Sequence, residues 1–418
     1  MSKIKSFRGV NHELMRQQNL SGILHHLHEK APISRAELAK LIGLNKATVS
    51  SLISELIDSQ FVYEVGVDSL KRSGRRSVLL KINPARGCIV SGEIGADFVS
   101  IICTNFAAEI VWSHRERIRK RTRQASVVER TQSLMKEATE IGRNKCGQVV
   151  GVVLGAPGLV DRRTGELLFA PNLGWKNVPL GEMLRQSFST MAFVDNEANL
   201  GALGEQYFGK AKGYDEVLYI SAGVGLGGGV VHEGKLMKGS TGFAGEFGHM
   251  TMDPRGELCG CGNRGCWETQ VSQSALFRHI KESIETGASS VLNEMVSRNP
   301  LTVPKVVEAA RNDDHVALAA LKKVGRDLGI GIASLVNALN PRLVVFGGIL
   351  SLAGEFLLPV AREELRARAL RWVESDMQIE LSRFGLDSCV MGGVAKVYQS
   401  ALSAPVKLNG NKLHPLGV

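Results

Sequence analysis

Apolar residues recur at helical spacing near the start of the chain and predict two helices there. The first is expected over residues 11–30, and Pro32 ends it. Ser34 is followed three residues later by Glu37, a spacing that predicts a capping box, because each side chain can accept from the other residue's backbone N–H. We therefore expect a second, shorter helix over residues 34–42.

A glycine turn separates this second helix from a third. Gly43 suits the positive φ of a tight turn, and Asn45 is a good N-cap for a helix whose apolar stripe faces inward. Two helices joined through a glycine turn are typical of a helix-turn-helix, whose second helix enters the major groove of DNA. The side chains expected to contact DNA here are those of Arg35, Asn45, Lys46, Thr48 and Ser51.

Two segments with strand-like patterns follow, residues 61–65 and 77–82, and a basic glycine turn joins them. Strand, turn and strand after a helix-turn-helix predict a wing, whose basic side chains can neutralise phosphates or enter a minor groove. The alternative is an ordinary helical module with a solvated hairpin. The order of the pieces favours a winged DNA-binding domain, which we place at residues 1–83. Its expected wing contacts are Lys71, Arg72, Arg75 and Arg76.

Strand-like and helical patterns alternate from residue 84 to residue 418, which predicts an α/β domain with helices over sheets. Buried strands are expected at 149–154, 217–221 and 343–346, each followed by a glycine turn. Such turns allow backbone N–H groups to approach an anion or a sugar closely.

Composition and charge agree with a two-part globular chain. A chain of 418 residues is too long for one ordinary core, and its composition, 44% hydrophobic, is that of a globular protein. No apolar run approaches the ~18 residues of a membrane helix, and the basic N-terminus lacks the apolar core of a signal peptide, so we expect a cytoplasmic protein. Residues 1–83 hold 13 Lys and Arg against 7 Asp and Glu, a net of +6 out of +10. A basic head before a nearly neutral body fits DNA binding, although spare surface lysines would give the same excess.

Three of the seven cysteines fall within eight residues, a clustering that indicates metal ligation in a reducing compartment. With His249 they give the spacing H-x9-C-x-C-x4-C. Three thiolates and one imidazole suit a closed, tetrahedral Zn²⁺ site with a structural role. The alternative is a reduced, cysteine-rich loop without metal. The predicted ligands are His249, Cys259, Cys261 and Cys266.

The sequence GEFGH at 245–249, followed by CGCGNRGCWE at 259–268, resembles the double signature of the ROK family of repressors, open reading frames and kinases. The helix-turn-helix in front, together with residues 45–50 and 196–199, is most similar to the xylose-repressor branch. The resemblance extends from about residue 11 to residue 400. It implies a two-lobed, actin-like sugar-kinase fold for 84–418, a sugar in the cleft and zinc on the four His and Cys ligands.

The resemblance also implies which side chains contact the sugar. Carboxylates and amides are suited to this task because they can bind pairs of neighbouring hydroxyls. A helical turn would place Glu246 and His249 on one face, and the second ring nitrogen of His249 could reach a hydroxyl. The implied sugar contacts are Asn196, Glu197, Glu246, His249 and Glu268, with Asn172 as a further candidate.

Three departures from the kinase members of the family fall on groups that handle phosphate. Kinases carry D-x-G-x-T in the first phosphate turn, whereas residues 93–97 read EIGAD, so Asp97 replaces a threonine donor. Val224 replaces the threonine of the second turn, and Glu197 replaces the catalytic aspartate. Phosphoryl transfer needs a base and donors around the phosphates. We therefore expect no catalytic residue and no kinase activity.

The sequence thus predicts a sugar-responsive repressor of carbohydrate-utilisation genes, released from its operator by a xylose-like or glucose-like monosaccharide. We expect a homodimer or homotetramer on double-stranded operator DNA and no membrane partner. One alternative is a ROK sugar kinase of the hexokinase or glucokinase type with a DNA-binding head; another is a repressor released by a protein partner. The basic stretch at 115–123 is expected to be a solvated strand end, with an auxiliary DNA contact as the alternative.

Overall fold

The structure is a computed structural model that describes residues 12–67, 77–119, 122–298, 301–374 and 377–405. A small winged head precedes a body of two α/β lobes. Within the described part of the chain, no helix is both long and apolar enough to cross a membrane. The residues predicted at the tip of the wing lie outside the described residues: Lys71, Arg72, Arg75 and Arg76.

The head contains three helices and a three-stranded antiparallel sheet in the order β1-β3-β2. The apolar faces of the helices meet in one core, so the predicted inward stripe of the third helix is confirmed. The elements are α1 (His12–Lys30), β1 (Ile33–Ser34), α2 (Arg35–Ile42), α3 (Lys46–Asp58), β2 (Val62–Val67) and β3 (Val78–Ile82).

The caps predicted for the head are confirmed by its hydrogen bonds. The Ser34 hydroxyl accepts from the Glu37 N–H, and the Glu37 carboxylate accepts from the Ser34 N–H at 3.1 Å. Gly43 has a φ of 74°. Asn45 caps α3 by accepting from the Thr48 N–H at 2.8 Å. These local bonds define where α2 ends and α3 begins, which is the geometry of a helix-turn-helix.

The first lobe is built on a five-stranded mixed sheet in the order β11-β7-β4-β5-β6, with a small second sheet, β10-β9-β8. The predicted buried strand at 149–154 is confirmed within β7. The elements are β4 (Cys88–Ile94), β5 (Phe98–Asn105), β6 (Ile110–Arg117), α4 (Gln124–Cys146), β7 (Val149–Ala156), β8 (Leu159–Val160), β9 (Leu167–Ala170), β10 (Trp175–Val178), α5 (Leu180–Ser187), β11 (Met191–Asn196) and α6 (Glu197–Phe208).

The second lobe repeats this plan with the sheet β14-β13-β12-β15-β16, whose apolar residues are covered by long helices. Its central strands confirm the predictions at 217–221 and 343–346. The elements are β12 (Val217–Ala222), β13 (Leu226–His232), β14 (Lys235–Leu236), α7 (Gln273–Glu285), α8 (Asn293–Arg298), α9 (Val303–Arg311), α10 (His315–Leu339), β15 (Leu343–Gly347), α11 (Gly354–Arg368), α12 (Arg371–Glu374), β16 (Gln378–Leu381) and α13 (Ser388–Ser403).

The head and the first lobe share one hydrophobic core, because α13 returns from the second lobe to lie against both. Phe61 of the head meets Phe106 of the first lobe with ring centroids 5.9 Å apart, and Phe106 meets Tyr398 of α13 at 5.2 Å. The Arg86 guanidinium, in the short turn between head and body, lies 4.7 Å from the Phe61 ring centroid. The head is therefore held by buried contacts as well as by the chain connection. The domain boundary after residue 83 stays a prediction.

Candidate functional site

A cleft of about 1100 Å³ lies between the two lobes. Glycine turns from both sheets and the loop around His249 form its walls. The structure brings together in this cleft all six side chains that the sequence selected for sugar binding: Asn172, Asn196, Glu197, Glu246, His249 and Glu268.

Asn196 and Glu197 stand where β11 ends and α6 begins. The Asn196 side chain accepts from two N–H groups of α6, Ala198 at 2.8 Å and Asn199 at 3.1 Å, and its Nδ2 donates to the Gly158 carbonyl at 3.1 Å. Capping therefore occupies most of this amide and leaves one Nδ2 hydrogen for a ligand.

The Glu197 carboxyl group is buried, and within the described chain its Oε2 has no hydrogen-bond partner. Burial raises the pKa of Glu197 well above its usual range, and the nearby acids Glu246, Glu93 and Glu268 raise it further. A buried, unpaired carboxyl oxygen is costly unless a ligand supplies the missing bond.

Glu246 and His249 face each other across a short turn. The sequence predicted a helical turn, and the structure has the 3₁₀ turn Phe247–His249 with Glu246 immediately before it. The closest approach is 3.9 Å, between Glu246 Oε2 and His249 Nε2. Burial raises the pKa of Glu246, and its neighbour Glu268 adds to the increase while His249 opposes it.

Glu268 connects the cleft wall to the cysteine loop. Its Oε1 accepts from Cys259 Sγ at 2.9 Å, and its Oε2 lies 3.4 Å from the Leu226 N–H, which donates to it. A side chain at Gly225 would meet Asn172 Nδ2 at 2.4 Å and Glu268 Oε2 at 2.7 Å. This glycine is therefore required for the close approach of backbone and polar side chains.

The four predicted metal ligands, His249, Cys259, Cys261 and Cys266, converge so that their ligand atoms lie within 4.8 Å of one another. His249 Nδ1 is 3.7 Å from Cys259 Sγ, and Cys261 Sγ is 3.7 Å from Cys266 Sγ. A tetrahedral Zn²⁺ with bonds of about 2.3 Å to sulfur requires sulfur atoms about 3.8 Å apart. The donor set and its spacing therefore fit a metal ion.

The loop that carries the cysteines is shaped by glycine. Gly265, at φ 62°, places its Cα so close to Asp253 that an added Cβ would lie 1.6 Å from the Asp253 carbonyl oxygen. Cys266 follows directly and is buried, and Trp267 after it is anchored by its indole N–H on the Asp327 carbonyl at 2.9 Å. The ring of His249 presents Nδ1 to the cysteines and Nε2 to the cleft side.

The other half of the cleft contains the two glycine turns that in kinases would hold phosphate. The ring of Phe98 lies against the first turn, so that a Cβ on Gly95 would be 2.2 Å from it. The Arg115 guanidinium stacks on this ring at 3.9 Å and contacts the Leu386 carbonyl at 3.3 Å and Asp387 at 3.4 Å. The prediction of a solvated strand end at 115–123 is confirmed for Arg115, which is exposed near the end of β6, and this solvated side chain also lines the cleft.

Glu93 lies at the base of the first turn and is buried. Burial raises the pKa of Glu93 to about 7; the positive charge of Arg115 opposes this shift, and Asp387 reinforces it. Neither Phe98 nor Arg115 was selected from the sequence. A signal was available in the position of Phe98 three residues after Gly95, but the side chain's direction depends on how β5 pairs with β4.

Some of the side chains predicted to contact DNA are exposed, and others are already engaged in a helix cap or an ion pair. Lys46 and Ser51 are exposed on α3, and Thr48 is half-buried on the same helix. The Asn45 side-chain oxygen is used as the N-cap. Arg35 is held by an ion pair with Glu64 of β2, 2.9 Å from Nη2 to Oε1. Lys46 and Ser51 are thus the most accessible of the predicted donors within the described helices.

Two family models match the chain. Residues 89–400 match the ROK family, and residues 16–63 match a winged helix-turn-helix DNA-binding model. The chain is 35% identical over 395 residues to the xylose repressor of Caldicellulosiruptor bescii, covering 94% of this chain and 99% of that protein.

Solved structures agree with this match. The crystal structure of a ROK family transcriptional regulator, a homologue of the E. coli MLC protein, superposes with a TM-score of 0.80 at 29% identity, covering 94% of this chain and 98% of that one. A ROK family glucokinase from Streptomyces griseus, in complex with glucose and AMPPNP, gives 0.66 at 30% identity, covering 74% of this chain and 98% of the kinase. The chain belongs to the ROK family, and within it to the members that carry a winged helix-turn-helix in front of the sugar-kinase-like domain.

Proposed function

We propose that this protein is a sugar-responsive transcription repressor that leaves its operator when a monosaccharide enters the cleft. The observation that carries the proposal is that a DNA-reading head shares one buried core with a body whose cleft gathers six hydroxyl-binding side chains. The similarity over 94% of the chain to a protein named xylose repressor supports it.

In this proposal the sugar occupies the half of the cleft next to the cysteine loop. The carboxylates of Glu246 and Glu268 accept from neighbouring hydroxyls, and Glu197 bonds a further hydroxyl through its unpaired oxygen. His249 Nε2, the free Nδ2 hydrogen of Asn196 and the amide of Asn172 complete the set. Such groups suit the hydroxyls of a monosaccharide, and the similarity to a protein named xylose repressor favours a xylose-like or glucose-like one.

We further propose that the metal is zinc and that its role is structural. His249 Nδ1 and the three cysteine thiolates would hold it, with no position left for water. When bound, it links the cysteine loop to the turn that carries Glu246, so its binding energy becomes folding energy for that wall of the cleft.

The proposed DNA contacts are the exposed donors of α3 together with Arg35, Asn45, Thr48 and the four basic residues of the wing. A homodimer or homotetramer would place two heads on a palindromic operator, with a domain division after residue 83. Since phosphate contacts release counterions, operator affinity should fall steeply as salt rises. A flat salt response would contradict DNA binding by these cations.

Sugar can release the operator only if it binds one arrangement of lobes and head more tightly than another. A complete switch needs a preference of about 10⁴-fold, which two sites in a dimer could share. The sharing of one core between head and body makes such a link physically direct.

The enzyme alternative has support in the similarity to ROK glucokinases, but the phosphate half of the cleft opposes it. Asp97 would repel a phosphate, Val224 cannot donate to one, and the ring of Phe98 fills the space against the first turn. A coupled assay of ADP release, with ATP, Mg²⁺ and a panel of pentoses and hexoses, tests this alternative. Turnover above background would establish the kinase.

The repressor proposal is tested with the full-length protein and duplex DNA that it selects from a random pool. We expect one sugar of the panel to raise the melting temperature, since ligand binding to the native state stabilises it, and to weaken DNA binding. If the protein selects DNA but no sugar of the panel raises its melting temperature or weakens its DNA binding, the sugar-responsive part of the proposal is wrong. Release by a protein partner is then the hypothesis to test.

A further inference from the structure

One helix connects the cleft to the head. Helix α6 begins at Glu197, directly after its cap Asn196, and ends at Phe208. Twelve residues of α-helix span about 18 Å. The N-terminal end of α6 therefore forms part of the proposed sugar site, and its C-terminal end lies at the boundary with the head.

At that boundary the ring of His28, from α1 of the head, lies among three aromatic rings of the body. Its centroid is 5.4 Å from that of Tyr207, 5.6 Å from that of Phe208 and 4.9 Å from that of Tyr398. Burial lowers the pKa of His28 to about 4, and the charge of Lys212 contributes to the decrease. The ring is therefore neutral at physiological pH and can pack as an aromatic group.

His28 also bonds to the end of the helix itself. The Tyr207 backbone carbonyl opposes the decrease in the pKa of the ring, and the Lys212 ammonium, just beyond α6, donates to the His28 carbonyl at 3.5 Å. The last four carbonyls of a helix have no partner within the helix, and Tyr207 supplies one of these. The His28 ring of the head therefore packs against the last turn of α6, where such a carbonyl is available to a donor.

Helix α13 prevents α6 from bending or sliding independently. A Cβ on Gly392 would lie 1.7 Å from the Leu200 carbonyl oxygen, and one on Gly204 would lie 2.8 Å from the Gly392 nitrogen. The two backbones are thus in direct contact at two glycines. Because α13 also carries Tyr398, two helices that are fixed to each other hold the His28 ring from different sides.

We propose that His28 is the positioning residue through which sugar occupancy reaches the DNA-reading head. The inference rests on the proposed repressor function and adds a route to it. A hydroxyl that bonds Glu197 biases the position of the N-terminal end of α6. The paired helices carry this displacement as a rigid unit, and His28 converts it into a rotation of α1 and hence of the helix-turn-helix.

The experiment compares four full-length proteins: wild type, His28→Phe, His28→Leu and the control His25→Ala. His25 lies one turn earlier on α1, and its hydrogen bonds among the described residues stay within that helix, to the Ser21 carbonyl at 2.8 Å and the Ser21 hydroxyl at 3.4 Å. Dissociation constants for the selected duplex are measured with and without D-xylose, D-glucose or N-acetyl-D-glucosamine at millimolar concentration. The readout is the ratio of the two constants, which a purely structural defect in the head would not change.

For wild type and His25→Ala we expect the effective sugar to weaken DNA binding at least about tenfold, within the usual range of allosteric coupling. For His28→Phe and His28→Leu we expect the ratio to fall below about threefold. The DNA affinity measured without sugar should change by a smaller factor than this ratio does. By reciprocity, DNA should then cease to alter the affinity for the sugar. His28→Gln keeps a donor for the Tyr207 carbonyl and should restore part of the ratio.

If wild type and both His28 variants show the same ratio, the route through His28 is wrong while the repressor function stands. If none of the three sugars changes the DNA affinity of wild type, the proposed function fails and this inference fails with it. His28→Phe and His28→Leu differ in side-chain shape, so the test still stands if one of these variants does not fold. Melting curves identify a variant that does not fold.

Discussion

The two halves of the cleft differ in what they offer a ligand. The half beside the cysteine loop presents three carboxyl groups, an imidazole and two amides around glycines that permit close approach. One oxygen of Glu197 in this half has no hydrogen-bond partner among the described residues. In the other half the glycine turns persist, but the ring of Phe98 and the Arg115 guanidinium lie over the first turn and Asp97 stands beside it. We therefore expect these glycine turns to hold a phosphate poorly, because the Phe98 ring lies against the first turn and the Asp97 carboxylate repels an anion.

The two halves of the cleft also differ in the elements that connect them to the rest of the protein. The hydroxyl-binding half includes the start of α6, whose far end contacts the head. The phosphate half is linked to the turn Gly385–Asp387 in front of α13 through Arg115. We therefore expect that sugar binding can act on the head without chemistry in the second half.

The largest effect is expected when a ligand of the proposed metal centre is removed. It should alter ligand binding only in the hydroxyl-binding half of the cleft. Cys266→Ser removes one of the three thiolates that we propose as zinc ligands, and this side chain is buried. Because metal binding energy is folding energy for the loop, we expect loss of zinc and a decrease in sugar affinity of about 100-fold or more. Elemental analysis and calorimetric titration with the effective sugar measure both. Cys146→Ser, a half-exposed cysteine of the first lobe, is the control and should bind like wild type.

The next effect concerns stability and pH at Glu93. Its pKa in the folded protein is about 7, above the usual value for an exposed glutamate, so the folded state binds the extra proton. The associated stability is complete below about pH 4.5 and is lost as the pH rises through 7. A shift of that size corresponds to on the order of 3 kcal/mol.

Denaturant unfolding of wild type and Glu93→Gln between pH 5 and pH 8 measures this contribution. The variant should lose less stability than wild type as the pH rises, because its amide cannot ionise. Parallel curves for the two proteins would show that Glu93 is not the group responsible.

A smaller loss is expected when one hydroxyl acceptor is removed from the sugar half. Glu246→Gln replaces a carboxylate that faces His249 Nε2. Hydrogen bonds to charged groups contribute about 1.5–3 kcal/mol, so sugar affinity should fall about 10-fold to 100-fold. Calorimetry measures it, with Glu285→Gln on the exposed side of α7 as the matched control. An unchanged dissociation constant would place the sugar elsewhere.

The smallest effect is expected from restoring kinase-like residues in the phosphate half. Asp97→Thr combined with Val224→Thr returns two donors, but Phe98 and Arg115 still cover the first turn and Glu197 remains in place of the aspartate. We expect sugar affinity to change by less than about twofold and ATP turnover to stay at background. Measurable phosphorylation of a sugar by this variant would mean that the two halves differ less than the structure implies.

Local signals in the sequence predicted most of the elements. The capping box at Ser34, the turn at Gly43 and the cap at Asn45 are bonds between residues a few positions apart, so the sequence alone specifies them. Buried strands are similarly visible as runs of apolar residues. The His and Cys spacing predicted the metal ligands because three cysteines in eight residues can converge without help from the rest of the fold.

Other features were decided only by the tertiary structure, because periodicity tells which face of an element is buried but not what covers it. Arg115 belongs to a basic stretch that is solvated as predicted, but only the pairing of β6 with β5 shows that its guanidinium lies over Phe98 at the cleft. The contacts of the His28 ring with Tyr207 and Tyr398 join residues that are 179 and 370 positions apart in the chain. The sequence by itself determined the elements, the cluster of His and Cys side chains and the identity of the polar groups. Only the packing of α6 and α13 placed the cleft and the head at opposite ends of one pair of helices, because that contact joins distant parts of the chain.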